Sequence, residues 1–164
     1  MLMTPKGNLL KNPGFELGLR FWEVPQTSSD TTELNVSAPT RFPHSGLAAL
    51  LMNSVCSENL AVVYQDVRVS PGNRYELDFA ISGACAGPAK FSAEVRWLDD
   101  ESEDLGPALA IFVPRVGSAS DGGWVLHTGI TEEAPLGARR ARVSLASGDS
   151  DGVLVDDVAF FKSE

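Results

Sequence analysis

The chain has 164 residues, 43% of them apolar and 21% charged, with a formal net charge of −9. That length supports one domain whose core needs neither metals nor many disulfides, so residues 1–164 are read as a single domain with its core between 8 and 161. The surplus of acids excludes nucleic acid as a partner, because phosphate binding needs clustered Lys and Arg, and no apolar run reaches the length of about 18 residues that spans a membrane.

In chain order, the opening "MLMTPKGN" is too short and too polar for a secretory signal. The chain is therefore expected to be a piece of a secreted protein, or to reach its site without a standard signal. "NLLKNPGFELG" (8–18) holds a Pro-Gly turn followed by a lone carboxylate, Glu16. Weak strand patterns follow at 17–24, 32–38 and 46–52. Strict alternation then sets in. "LAVVYQDVRV" (60–69) turns Val63, Gln65, Val67 and Val69 to one side, and Tyr64, Asp66 and Arg68 to the other. "SPGN" (70–73) is turn chemistry, and "RYELDFAIS" (74–82) alternates again, which predicts a hairpin. Further strands are predicted at 91–98, 108–113, 124–130, 138–146 and 152–161. The acidic "LDDESED" (98–104) reads as a solvated hairpin tip, and "SGDSDG" (147–152) as a Gly/Asp turn, since it lacks the last-position Glu of an EF-hand loop. No segment carries a long helical stripe. About ten short strands in one domain predict an all-β fold, a two-sheet jelly-roll β-sandwich.

The predicted hairpin also places the two cysteines. If "SPGN" closes it, Cys56 and Cys85 reach the same open end, where a disulfide would suit an oxidising location; two unrelated thiols are the alternative. Two cysteines with His44 and His127 fit no zinc spacing. Nucleophile-elbow, phosphate-loop and zinc-protease motifs are missing, so the chain is read as not an enzyme.

The order of "NLLKNPGFELG" with Trp22, "HSGLAAL" (44–50), "VYQDVRVSPGNRYEL" (63–77), "VRWLDDE" (95–101), "GGWVLHTG" (122–129), "EAPLGARRARVSL" (133–145) and "VLVDDVAFF" (153–161) resembles the carbohydrate-binding-module-like, galactose-binding-domain-like β-sandwiches. Within that group the chain is similar to single-sandwich proteins of spore-forming bacteria whose function is unassigned. The resemblance implies a structural calcium, held by Glu16 and Asp156, with Asp157 as the alternative, and by carbonyls around Asn8 and Ser45. An oxygen-only donor set suits Ca²⁺, and a buried carboxylate is costly unless paired or metal-bound. The competing reading is a pair of acids exposed on an edge strand or hydrogen-bonded to turn amides.

The resemblance also implies a non-catalytic glycan-binding module, expected at an extracellular, cell or spore surface; its oligomeric state, monomer or small homo-oligomer, is left open by the sequence. The alternative is a structural or adhesive surface protein that keeps the sandwich without the sugar site. Trp22, Trp97 and Trp124 are all expected in the core. The ligand-binding candidates are therefore Tyr64, Arg96 and His127, which alternation turns away from it.

Overall fold

Alternation at period two commits most of the chain to strands, and the computed structural model has nine of them among the residues it describes, which are 7–25, 32–37, 43–54, 61–83, 90–114, 123–148 and 150–164. They are β1 (Thr32–Ser37), β2 (Ala49–Ser54), β3 (Ala61–Arg68), β4 (Tyr75–Gly83), β5 (Lys90–Leu98), β6 (Asp104–Val113), β7 (Val125–Ile130), β8 (Arg140–Gly148) and β9 (Ser150–Lys162). The described residues include no helix. Consequently no helix among them could cross a membrane.

Two antiparallel sheets face each other. One has five strands in the order β1-β2-β9-β4-β7, the other four in the order β3-β8-β5-β6. This is the predicted two-sheet sandwich. The inward residues Val63, Phe91, Val95, Val143 and Leu145 of the smaller sheet meet Leu50, Met52, Leu77, Phe79, Ile81, Val155 and Phe160 of the larger. Burial of this apolar area is the main stabilising term. The acidic segment 98–104 does form a hairpin tip, capped by Asp99 Oδ1, which accepts from the Glu101 and Glu103 amides at 2.9 Å.

The predicted hairpin of 60–69 with 74–82 does not form. β3 pairs with β8 in the four-stranded sheet, and β4 pairs with β9 and β7 in the other. The "SPGN" turn carries the chain from one sheet to the other. The amides at and just before it bond elsewhere, Gly72 N to Ala134 O (2.8 Å) and Val69 N to Arg139 O (3.0 Å). Two alternating strands joined by a turn look the same in sequence whether they pair side by side or stack face to face. The geometric premise for joining Cys56 to Cys85 falls with the hairpin, and both cysteines lie outside the described residues.

Residues 17–24 are turns rather than a strand, apart from a single bridge from Glu23 to Tyr64. Asn12 organises them. Its Nδ2 donates to Gly18 O (2.9 Å) and Arg20 O (3.0 Å), while its Oδ1 accepts from Leu17 N (3.1 Å). These bonds hold Phe15 and Phe21 at positive φ, 56° and 75°, which a strand cannot accommodate. Phe15 is fully buried and stacks on Trp22 with centroids 5.2 Å apart, and Trp22 Nε1 donates to Asn12 O (3.1 Å).

Candidate functional site

Two groups of polar side chains stand apart from the core. The first lies where the N-terminal segment meets β9. Leu9 N donates to Phe160 O (2.7 Å) and Val158 N to Pro13 O (3.0 Å), so the segment lies antiparallel beside the end of β9. Asn8 clamps it, because its Nδ2 donates to Val158 O (3.2 Å) and its Oδ1 accepts from Phe160 N (2.9 Å). A bulge in β9 opposite Phe79 puts Asp157 at φ 49°, a conformation Asp tolerates.

The bulge turns both acids toward the loop 43–48. Asp156, with no exposed surface, accepts from Ser45 N (3.0 Å) and Asp157 N (2.8 Å). Asp157 accepts from Ser45 Oγ (2.6 Å), and its other oxygen lies 2.7 Å from His44 Nδ1. Glu16 Oε1 accepts from Leu47 N (2.9 Å) and Ala48 N (3.2 Å). Gly14 fits between them: a Cβ there would lie 3.5 Å from Asp156 Oδ1 and 3.7 Å from Asp157 Oδ1.

The structure thus brings Glu16, Ser45, Asp156 and Asp157 together, with Asn8 beside them as the clamp. Hard oxygen donors of this kind suit Ca²⁺, and each carboxylate retains acceptor capacity beyond its amide bonds. Their oxygens nevertheless turn toward backbone amides, Ser45 Oγ and His44. Among the described residues no group of three or more His, Cys, Asp or Glu forms a ready metal cage.

Burial pushes the Asp156 carboxyl up to about 6, opposed in part by the amides that bond it. Between the ordinary carboxylate range and about 6 the folded state holds the extra proton. Stability from this group is therefore expected to fall as pH rises through that window, and to level off above it. The Asp156 carboxyl ¹³C shift, followed by NMR in EDTA, should show a midpoint near 6; a midpoint near 4, the ordinary value, would refute the effect of burial.

The second group covers the outer face of the four-stranded sheet. Register places Asp66, Arg142 and Arg96 in one row across β3, β8 and β5, and Tyr64, Ser144 and Glu94 in the next. Arg142 clamps Asp66 with two bonds, at 2.7 and 2.8 Å, and its guanidinium lies 4.2 Å from the Tyr64 ring centroid. Arg96 joins Glu94 (2.8 Å) to Asp104 (2.6 Å). The Arg96 hydrogen bond, helped by the Gly106 amide, holds the Asp104 carboxyl below the usual carboxylate range. Asp66 in turn holds Arg142 more firmly charged. This face therefore offers fixed donors and acceptors side by side with little net charge.

Tyr64 and Arg96 share this face, as predicted, whereas His127 does not. It lies on β7 in the other sheet and points inward, its ring stacked on Phe79 at 5.3 Å, while Leu126 and Ile130 face outward. The reason is Gly129, of the same parity as His127. A Cβ there would meet Ile111 Cδ1 at 2.8 Å, so β7 turns its smallest residue toward β6. Trp22 and Trp97 are core residues, as expected, but Trp124 is only partly buried, with its ring 5.6 Å from that of His44. Arg142 and Asp66 were missed as site residues, although the alternation of "RARVSL" already put Arg142 on the outer face.

No protein-family model matches the sequence, and no curated protein is significantly similar to it. Solved structures do share its fold. The enzymatically active domain of bacteriophage CBA120 tailspike protein 4 superposes with a TM-score of 0.77 at 15% identity, over 95% of this chain. This chain spans only 21% of that protein. TmCBM61, solved in complex with β-1,4-galactotriose, has a TM-score of 0.65 at 20% identity, over 95% of this chain and 99% of that one. A xylan-binding CBM22 domain gives 0.60 at 17%, over 96% and 97%. The chain has the carbohydrate-binding-module-like β-sandwich fold. The narrower likeness to proteins of spore-forming bacteria gains no support from these structures.

Proposed function

We propose that this chain is a non-catalytic glycan-binding module whose ligand lies on the outer face of β3-β8-β5-β6. The observation that carries this is the row Asp66–Arg142–Arg96, with Tyr64 and Glu94 beside it. A sugar hydroxyl both donates and accepts, so recognition needs both kinds of partner at fixed positions. The mutual bonds of this network fix them before any ligand arrives, which lowers the ordering cost of binding. Arg supplies a planar fork of donors, Asp66 and Glu94 supply acceptors, and Tyr64 adds a ring with a polar tip. The relatives in fold that carry galactotriose or are described as xylan-binding support a sugar as the ligand class. A structural Ca²⁺ at Glu16, Asp156 and Asp157 is part of the same reading. It would tie the N-terminal segment to β9, and an extracellular or cell-surface location suits such a module.

Alanine substitution at Tyr64 or Arg96 is expected to weaken glycan retention in affinity gels by about tenfold, the loss of roughly one charge-assisted or stacking contact. Melting should change by no more than about 1 kcal/mol, since both side chains are partly exposed and ion pairs at such positions contribute about 0–1 kcal/mol. Hydrolysis of a glycan by pure protein would overturn the non-catalytic assignment.

One observation favours the second reading, a structural or adhesive surface protein. The edge strands β6 and β7 expose Phe112 (65%), Leu126 (68%) and Ile130 (53%). Residues 105–113 and 125–130 also carry no Asp, Glu, Lys or Arg. Charges are the usual protection of a free edge. Failure to bind any glycan in a broad screen, together with self-association abolished by Leu126→Lys, would select this reading.

A further inference from the structure

A groove of about 450 Å³ runs between the N-terminal segment and the edge strand β3, along the border of the face described above. Lys11, Phe21 and Arg68 line it, with Leu9 and Val67 as its apolar part. Its size is in the range of small-ligand sites. Its charge is opposite to that of the molecule. The chain carries −9 overall, yet Lys11, Arg20 and Arg68 gather here with no carboxylate within ion-pair distance among the described residues. Asp66 also lines the groove, but Arg142 holds it in a two-bond pair and neutralises it.

The partner of two of these cations is a ring. Lys11 Nζ lies 5.4 Å and Arg20 Cζ 5.1 Å from the centroid of Phe21. A ring face attracts a cation without cancelling its charge. Phe21 is 44% exposed and sits at φ 75°, a backbone conformation that a bulky residue adopts only when its surroundings impose it. Those surroundings are built. Gln65, nearly fully buried, accepts from Lys11 N (2.8 Å) and donates to Lys11 O (3.1 Å), so the Lys11 backbone is fixed to β3. Asn12 bonds Arg20 O and fixes the residue before Phe21. Two buried or half-buried amides thus hold a strained aromatic and its cations at the mouth of one groove.

We propose that this groove is a second binding site and takes an anionic sugar residue, its carboxylate or sulfate ester between Lys11 and Arg68 and its apolar face toward Phe21. The glycan class rests on the reading above; Lys11 and Phe21 lie outside the face it uses, and Arg68 stands at that face's β3 edge.

The test is affinity electrophoresis in gels containing polygalacturonate, which supplies carboxylates, carrageenan, which supplies sulfate esters, or neutral galactan. The wild-type protein should be retarded by at least one polyanion, and salt should weaken that retention. A chain of this net charge is otherwise repelled by a polyanion, so retention reports a local site. Lys11→Glu combined with Arg68→Glu should lower polyanion affinity at least tenfold at unchanged melting temperature, and Phe21→Ala should lower it as well. Arg96→Ala should leave it intact while weakening any neutral-glycan binding. Absence of retention by both polyanions, or full retention by the double variant, overturns the groove. Loss of polyanion binding in Arg96→Ala with the double variant unaffected would return the ligand to the sheet face.

Discussion

Truncation of Phe15 to alanine is expected to cost about 3–5 kcal/mol of unfolding free energy, the range for emptying a fully buried aromatic position. Phe15 has no exposed surface and stacks on Trp22. Its site cannot collapse easily, because Asn12 pins the turn and the Phe15 backbone is held at positive φ. A domain of this size loses roughly 2–4 °C of melting temperature per kcal/mol, so thermal denaturation followed by circular dichroism should shift by about 10 °C. The effect extends beyond packing. Glu16 is the next residue, and its bonds to Leu47 and Ala48 anchor the loop 43–48. A shift under about 1 kcal/mol would show that the turn stands without its ring.

The second large effect is expected from calcium. A ligand bound only by the folded state adds about 2.7 kcal/mol at a hundred times its dissociation constant. Protein melted with millimolar calcium should therefore unfold several degrees above protein in EDTA. The response should vanish in Glu16→Gln. An ion would also keep Asp156 ionised to lower pH, removing the midpoint near 6. Identical melting curves with calcium and with EDTA would leave the amide, Ser45 and His44 contacts as the sole partners of these acids.

The strands were legible in the sequence because burial on one face imposes period two on side-chain polarity, as Val63, Gln65 and Val67 show against Tyr64, Asp66 and Arg68. Pairing was not legible. The same alternation serves β3 and β4 whether they are neighbours in one sheet or opposed across two, and only contacts with β8 and β9 decide. Face was misread on β7, where Leu126 and Ile130 outweigh His127 and Gly129 in apolar character but packing against β6 selects the glycine. The acids at Glu16, Asp156 and Asp157 could be matched from sequence because their neighbours form recurrent local patterns. The groove at Phe21 could not, since it depends on a backbone angle that no side-chain pattern announces.

The antiparallel contact between the N-terminal segment and β9 has a mechanical consequence. Residue 9 meets residue 160 and residue 13 meets residue 158, so the outward directions of the chain at residues 9 and 160 lie at the same end of that contact. Tension applied through the two ends would load these hydrogen bonds one after another, as in a zipper, rather than all at once in shear. The clamp at Asn8 would yield first, and peeling would proceed toward Phe15 before either sheet was disturbed. A modest pull would therefore lift the stretch that carries Lys11 away from β9, while the face bearing Arg96 and Arg142 stayed intact.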